Sequence, residues 1–441
     1  MPLFLLILLL LLSVGSFAQQ SSVPVDTASA GALRVQASIL ASQVAPKVVE
    51  WRRDIHQHPE LSNREFRTAA LVAEHLRSLG MEVTTDVAHT GVVGFLRGSR
   101  ATPVVALRAD MDGLPVIEEA GLPFASVEKG TFRGQEVGVM HACGHDNHVA
   151  MLMGVAEVLA GMRDQIPGSI KFIFQPAEEG PPEGESGGAK MMIAEGALDD
   201  VDAIFGLHVF PSKLGSIAYR SGGIMASADT FRIRVTGKQT HGALPWGGID
   251  PIVVASQIVL GLQTIPSRQL DATLTPSIVT VGKIQGGVRS NIIPDEVEML
   301  GTIRTFDNTV RQDIHRRMAR TVSLIAESAG ATATMEIIFG IPVTTNDPTL
   351  TAMMVPTLTR VVGSDMLTIS PRTTTAEDFS YYQQEVPGLF FFLGVADPLD
   401  ASPAANHSPK FFADERALPV GVQALTELAL DYLVMHGESK Q

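Results

Sequence analysis

The sequence predicts an α/β fold: a mostly parallel sheet that carries an inserted ferredoxin-like α+β domain. Three observations lead there. Short apolar runs alternate with helical runs between residues 104 and 208, the pattern of successive βαβ units. Near residue 225 the texture changes to strands and two helices in β-α-β-β-α-β order. After residue 338 the α/β texture returns. These changes divide the chain into a main domain in two parts, 33–224 and 339–441, and an insert at 225–338. A length of 441 residues suits two or three domains.

Taken in order, residues 33–80 read as helix. Leu71, Leu76 and Leu79 share a face and Gly80 stops it. Residues 104–107 form a short buried strand that runs into Arg108-Ala109-Asp110-Met111-Asp112-Gly113. Residues 149–162 are helical, 170–174 a strand ending in Gln175-Pro176-Ala177-Glu178-Glu179-Gly180, and 190–195 a short helix. Residues 203–207 are a strand ending at His208. In the insert, Phe231, Ile233 and Val235 alternate as in a half-buried strand. A helix at 251–262, strands at 277–284 and 296–304, an amphipathic helix at 310–329 and a strand at 332–338 complete it. Gly222 and Gly223 are the expected pivots where the insert begins. Residues 389–395 are a strongly apolar strand, 406–409 a loop and 418–435 a closing helix. There is no internal repeat.

The N-terminus reads as an export signal. Residues 3–12 are almost unbroken apolar sequence, and Ser16-Phe17-Ala18 puts small residues at the two positions a signal peptidase reads. Residues 1–18 are therefore expected to be removed and the protein exported. The competing reading is a membrane anchor, for which 2–18 is short and has no basic flank. Residues 19–31 read as a disordered leader. The formal net charge of −14 argues against nucleic-acid backbones and anionic membranes as partners.

The segment His141-Ala142-Cys143-Gly144-His145-Asp146 carries most of the chemistry. It holds the one cysteine in the chain, which cannot form an internal disulfide. A thiolate, imidazoles and a carboxylate within a few residues suit a borderline-soft divalent metal such as zinc. The bland alternative is a buried small hydrophobe at a helix start. Glu178-Glu179, His208, His241 and His407 are further metal-capable positions. In open parallel sheets ligands gather beyond the carboxyl ends of strands. Asp110 and Asp112, Glu178 and Glu179, and His208 all lie at such ends and are expected to converge.

These words together resemble the M20 metallopeptidases, in particular the amidohydrolase branch of hippurate, N-acyl-amino-acid and auxin-conjugate hydrolases. The resemblance runs from about Trp51 to the C-terminus. Its words are Arg52-Arg53-Asp54-Ile55-His56-Gln57-His58-Pro59-Glu60, Leu107 to Asp112, Met140 to Asp146, Gln175 to Gly180, Gly206-Leu207-His208, Asn291-Ile292-Ile293-Pro294, Glu377-Asp378-Phe379-Ser380 and Asn406-His407-Ser408-Pro409. It implies two divalent metal ions per subunit (zinc, manganese, nickel or cobalt), with Cys143, His145, Glu179, His208 and His407 as ligands. Glu178 would be the general base and acid, and Asp112 would buttress a ligand. Asp110 stands where other branches have a metal-binding His. Asp110 and Asp112 could equally cap the next turn. His241, in Thr240-His241-Gly242-Ala243, would stabilise the oxyanion from the insert or from a neighbouring subunit, or else is simply a strand-end His. Asn291 would bind the substrate carboxylate or oxyanion, or cap a turn. His56, His58, His141 and His148 are read as supporting or packing residues.

Two departures from the family pattern, Trp246 after Pro245 and Asn147 after Asp146, are expected to line the approach to the site. The implied reaction is metal-activated hydrolysis of a small-molecule N-acyl amino acid. A dipeptidase or metallocarboxypeptidase, or a non-catalytic exported binding protein, are the rival readings. A homodimer through the insert would fit the family.

Overall fold

The computed structural model describes residues 27–437; the expected export signal lies outside them. Its larger part is an eight-stranded sheet. At the centre four strands run parallel: Ser169–Gln175, Val104–Asp110, Ala203–Lys213 and Gly388–Ala396. The antiparallel strands Gly91–Arg97 and Glu82–Val87 extend one edge. Ile217–Tyr219 and Leu367–Ile369 extend the other.

Every residue of Val104–Asp110 is buried, as a strand covered on both faces requires. Val105, Leu107 and Ala109 join one core with helices Thr27–Gln57, His145–Ala160 and Leu418–Gly437. Val104 and Ala106 face the opposite layer, with Ala189 and Met192 of helix Gly188–Ala194 and Phe379 and Tyr382 of helix Phe379–Glu385. A buried strand has no polar face, so Arg108 and Asp110 must find partners inside the protein.

A four-stranded antiparallel sheet lies between Ala228 and Ile341, made of strands Ala228–Thr236, Ser277–Gly286, Glu296–Thr305 and Thr332–Ile341. In order of appearance its strands sit 2-3-1-4, the ferredoxin-like arrangement. Phe231, Ile233 and Val235 pack on helices Pro251–Thr264 and Asn308–Ser328 in a core of their own. The outward Arg232 and Arg234 face Glu298 and Glu296 across the solvent side. Asp250 and Asp307 cap the two helices by accepting from their first backbone amides. The two sheets are joined by strand Gly222–Met225, paired antiparallel with the returning strand Thr344–Asn346.

The structure corrects the expected helix at 33–80. There are two helices, Thr27–Gln57 and Phe66–Ser78. Pro59 excludes its predecessor from helical backbone, and Leu61 instead forms a bridge to Gly113, so the chain turns toward the sheet. The first helix begins at Thr27, inside the stretch expected to be a disordered leader. The strand expected to end at His208 continues to Lys213, because Gly388–Ala396 pairs with it through His208↔Phe392 and beyond. His208 still lies past the last pair it shares with the neighbouring strand, Arg108↔Gly206.

Candidate metal centre

Five segments bring donor atoms together above the carboxyl end of the central strands. The loop carrying Cys143 enters helix His145–Ala160 through Gly144, whose φ of +97° suits glycine. A Cβ there would lie 2.4 Å from Val209 Cγ2, so the loop can press onto the strand that carries His208 only without a side chain. The loop carrying His407 is tied to the same place. His407 N donates to Ala142 O at 2.8 Å, and Asn406 Nδ2 donates to Cys143 O at 2.9 Å.

The donor atoms are close. Cys143 Sγ lies 3.3 Å from His208 Nε2 and 3.3 Å from His407 Nε2. His407 Nε2 lies 3.1 Å from Glu179 Oε1, and His145 Nε2 is 4.0 Å from Glu178 Oε2. Two triplets, Cys143/His145/His208 and Cys143/Glu179/His407, each have their donor atoms within 4.8 Å of one another and share the cysteine. Tetrahedral coordination at zinc bond lengths puts ligand atoms about 3.3–3.8 Å apart, so the donor set fits two neighbouring divalent ions. His145 Nε2 is buried and makes no hydrogen bond, as an atom reserved for a cation would be.

Hydrogen bonding selects which histidines can act. His208 Nδ1 donates to Val209 O at 2.7 Å, which leaves Nε2 as a lone pair facing the cysteine. His145 Nδ1 faces Asp112 Oδ1 at 3.3 Å. His148 has both nitrogens engaged: Nδ1 donates to Asp110 Oδ1 at 2.5 Å and Nε2 accepts from Val209 N at 2.9 Å. It therefore supports the site and cannot ligate. His56 is likewise engaged, by Asp146 at 2.8 Å. His141 is buried with neither nitrogen hydrogen-bonded, and burial pushes it down to about 3, so it is neutral.

Asp112 does more than face His145. Its Oδ1 accepts from Glu178 N at 3.1 Å, and its Oδ2 accepts from Glu179 N at 3.0 Å and Ser62 Oγ at 2.7 Å. One carboxylate thus touches the His145 imidazole and holds the backbone of both adjacent glutamates. The other side of the glutamate turn is held by Glu65, which accepts from Ala177 N at 2.9 Å and Thr90 Oγ at 2.5 Å. Ala177 has a φ of +52°, a strained conformation for a residue with a Cβ, and Glu65 pins it.

The charge in this region is strongly unbalanced. The buried Arg108 guanidinium contacts Asp110 at 2.5 Å, Asp378 at 2.8 Å and Glu377 at 3.0 Å. Gln175 bridges it to Asp378, donating at 2.8 Å. Asp112, Glu178 and Glu179 add further carboxyl groups close by. Burial, aided by the Asp110 charge and opposed by Arg108, pushes Glu377 up to about 8 and Asp378 up to about 6. Glu178 is pushed well above the usual carboxylate range by burial, then by Glu377, Glu179 and Asp378. The Cys143 thiol is also raised well above its ordinary value, by burial and then by Glu179. Burial draws His145 down, but Asp110, Asp112 and Glu179 outweigh it and raise it to about 10. Burial is the largest cause for the thiol and the three carboxyl groups, and the surrounding negative charge adds to it, as in a pocket that favours cations.

Above the donors lies a cavity of about 350 Å³. Cys143, Glu178, Glu179, His208 and His407 line it from below, and Arg304, from the end of strand Glu296–Thr305, lines it from the insert. Arg304, Arg108 and Glu65 stand out only in the folded protein. An arginine inside an otherwise apolar strand was the available signal for Arg108. Nothing local marks the other two.

His241 and Asn291 are not among the residues lining this cavity. They sit side by side on a two-stranded ribbon, where His241 pairs with Ile292 and Gly242 N donates to Asn291 O at 2.8 Å. Both are exposed. The expectation that Asn147 lines the approach is corrected: it is fully buried at the helix start, donating to Gly144 O and Asp146 Oδ1. Trp246 is exposed on the insert and is not a cavity residue.

Comparison with known proteins agrees with this geometry. Residues 106–431 match the model of peptidase family M20/M25/M40. Thermostable carboxypeptidase 1 of Saccharolobus solfataricus is 44% identical over 390 residues, covering 87% of this chain and 95% of its own. N-acetyl-L-cysteine deacetylase of Bacillus subtilis is 38% identical over 401 residues, covering 90% and 91%. Among solved structures, the Bacillus subtilis YXEP protein, described as a dinuclear metal-binding peptidase from the M20 family, superposes with a TM-score of 0.75 at 34% identity, covering 89% of this chain and 99% of its own. A family match over most of the chain and relatives of this identity and coverage show that the chain belongs to peptidase family M20/M25/M40.

Proposed function

We propose that the protein is a metal-dependent amidohydrolase that cleaves an N-acyl amino acid into a carboxylic acid and a free amino acid. One observation carries this reading. Metal-capable donors, the proton-accepting Glu178 and the cationic Arg304 share a single cavity of about 350 Å³. An amide linked to a carboxylate matches those three groups in that order.

We assign Cys143, His145, Glu179, His208 and His407 as ligands of two divalent ions; zinc, manganese, nickel and cobalt all suit this mixed set. When bound, the ions supply Lewis acidity and acidify a water. Glu178 takes the proton of the attacking water and returns it to the amide nitrogen as the C–O bond forms and the C–N bond breaks. Its raised proton affinity suits a group that must do both. Asp112 keeps His145 and the glutamate turn aligned. Arg304 pairs with the amino-acid carboxylate and so orients the amide.

A carboxypeptidase would use the same groups, since Arg304 reads any terminal carboxylate equally well. The name of the Saccharolobus relative favours that second reading. Benzoyl-glycine-type substrates compared with unblocked dipeptides separate the two, and a binding protein would turn over neither. We further propose that His241 and Asn291 meet the substrate only on closure of the insert or from a second copy in a homodimer, His241 steadying the oxyanion and Asn291 the carboxylate. Exposed Trp246, Val288 and Leu260 on the insert give such a contact apolar area.

Glu178→Gln is expected to lower kcat at least about a hundredfold with metal content unchanged, whereas Glu179→Gln lowers metal content. Kinetics and elemental analysis of the purified variants check this, and exchanged phenotypes would reverse the two roles.

Arg304→Ala should raise KM about tenfold or more for a substrate with a free carboxylate, yet leave its carboxamide analogue little changed. His241→Ala should instead lower kcat by about a hundred- to a thousandfold. A near-normal kcat for His241→Ala would restrict the insert's role to access or assembly.

Metal binding should release protons across the neutral range. The Cys143 thiol and the His145 imidazolium are both protonated there and must lose their protons to ligate. Affinity therefore rises with pH up to the region of pH 10. Calorimetric titration in buffers of different ionisation enthalpy counts the protons, and a count of zero would contradict this electrostatic picture.

We also propose that residues 1–18 direct export and are removed. The mass of the mature chain recovered from its own host should correspond to a start after Ala18. A retained N-terminus with membrane-bound protein would identify an anchor instead.

A further inference from the structure

Between strands Val104–Asp110 and Lys129–Phe132 the chain forms no helix or strand, only single bridges at Gly113 and Leu114. Beyond Leu114 this irregular stretch is nevertheless attached to three of the pieces that carry donor atoms. Glu119 N donates to Pro409 O at 2.7 Å, just beyond His407. Ser126 Oγ donates to Val139 O at 2.7 Å, on the lead-in to Cys143. The third attachment is made of charged groups. His56 Nε2 lies 3.2 Å from Glu118 Oε1, and His56 Nδ1 lies 2.8 Å from Oδ2 of Asp146, the residue after His145.

A carboxylate oxygen only accepts, so a ring set between two of them needs hydrogen on both nitrogens. His56 is therefore an imidazolium. Burial works against that charge, but Asp146 and Glu118 outweigh burial and the nearby Arg52 and raise its proton affinity. The charges balance: Arg52 Nε lies 2.8 Å from the same Asp146 oxygen, so two buried cations face two buried carboxylates. The neutral His141 ring, 6.5 Å from the His56 ring, is the remaining titratable neighbour. The Phe124 ring packs against both cations, 5.6 Å from the His56 ring and 4.8 Å from the Arg52 guanidinium carbon.

We propose that His56 is a positioning residue of the metal centre: as a charged strut it holds Glu118 against Asp146, and through Glu119 and Pro409 it keeps the loop bearing His407 in register with the helix start bearing His145. The proposal rests on the ligand assignment above. An irregular stretch has no ladder of its own, so its attachments fix where it lies. Two of the three are single hydrogen bonds to backbone carbonyls, each modest by itself. The bonds at His56 are charge-assisted and buried, which makes them the stronger kind. Without the ring, Asp146 and Glu118 would face each other as buried like charges and the stretch would move off. Donors spread over separate loops bind ions well when outer partners hold the loops beforehand, and His56 does this for two of them without touching either ligand.

The test measures zinc affinity by competition with a chelator, on the metal-free full chain, for wild-type protein, His56→Gln, Glu118→Ala and the double variant. Each single variant should bind zinc about tenfold to a hundredfold more weakly. The double variant should lose no more than about twofold beyond the weaker single one, because both substitutions break the same strut. Wild-type affinity in either single variant, or losses that multiply in the double one, overturns the proposal. Hydrogen exchange read peptide by peptide separates positioning from general destabilisation. In Glu118→Ala, exchange should quicken at 115–127 and 404–411 and stay unchanged in the closing helix Leu418–Gly437. A uniform rise, or no change, overturns the proposal. If His56→Gln does not fold, Glu118→Ala decides alone through both readouts. If wild-type protein binds neither zinc nor manganese, nickel or cobalt, the ligand assignment fails by itself. The strut is then judged by exchange in Glu118→Ala: quickening at 404–411 supports it, and unchanged exchange there overturns it.

Discussion

A surplus of buried negative charge governs the centre of this molecule. Asp110, Glu377 and Asp378 contact the buried guanidinium of Arg108, and Asp112, Glu178 and Glu179 lie close by. Among them Glu178, Glu377 and Asp378 have proton affinities raised first of all by burial, while Asp110 and Asp112 are held below the usual carboxylate range by the cationic groups beside them. Burying like charges together is costly unless cations accompany them. Divalent ions at the Cys143 triplets answer that need. Ions held there would favour Cys143 as a thiolate, against the burial that raises its thiol. Binding of metal and final arrangement of charge are therefore one event.

Such a cluster works only if its geometry is imposed from outside, and several devices impose it. Asp112 and Glu65 grip the glutamate turn from opposite sides through backbone amides. Asn406 bridges the backbones of Cys143 and Val209, at 2.9 and 3.3 Å, so the loops carrying three of the donors move together. Gly144 lets the cysteine loop touch the strand beneath it. His148 spends both nitrogens on bracing Asp110 and Val209. These groups rest on the buried strands of a parallel sheet, the most rigid support the fold offers.

The insert enters the same site from above through Arg304, at the end of one of its strands, while His241 and Asn291 lie on a separate exposed ribbon. The two contributions differ in kind. Arg304 lines the cavity in the structure as it stands, so it suits initial capture of a carboxylate. The ribbon residues do not line that cavity. The antiparallel pair Gly222–Met225 and Thr344–Asn346 is the double connection between the two sheets.

Much of this was legible along the chain. Period-two and period-3.6 patterns marked the central strands, the ferredoxin-like insert and the closing helix, because local burial writes itself into local sequence. That thiol, imidazole and paired carboxylates would gather beyond the strand ends was legible too, and the structure does bring these donor atoms within 4.8 Å of one another. The sequence alone also limited Asp112 to two roles, a brace or a turn cap. Tertiary structure decided what depends on distant partners. Pro59 and the Leu61–Gly113 bridge split one expected helix into two. Pairing with Gly388–Ala396 carried the His208 strand on to Lys213. The separation of His208 from His148 rests on which ring nitrogen a neighbour occupies, and the hold of Asp112 on the glutamate turn rests on amides 66 and 67 residues away. Arg108, Glu65 and Arg304 acquire meaning only from partners or cavities assembled by the fold. A residue's type and its spacing determine what it can do, but which atom faces it in a low-dielectric interior determines what it does, and that is a property of three dimensions.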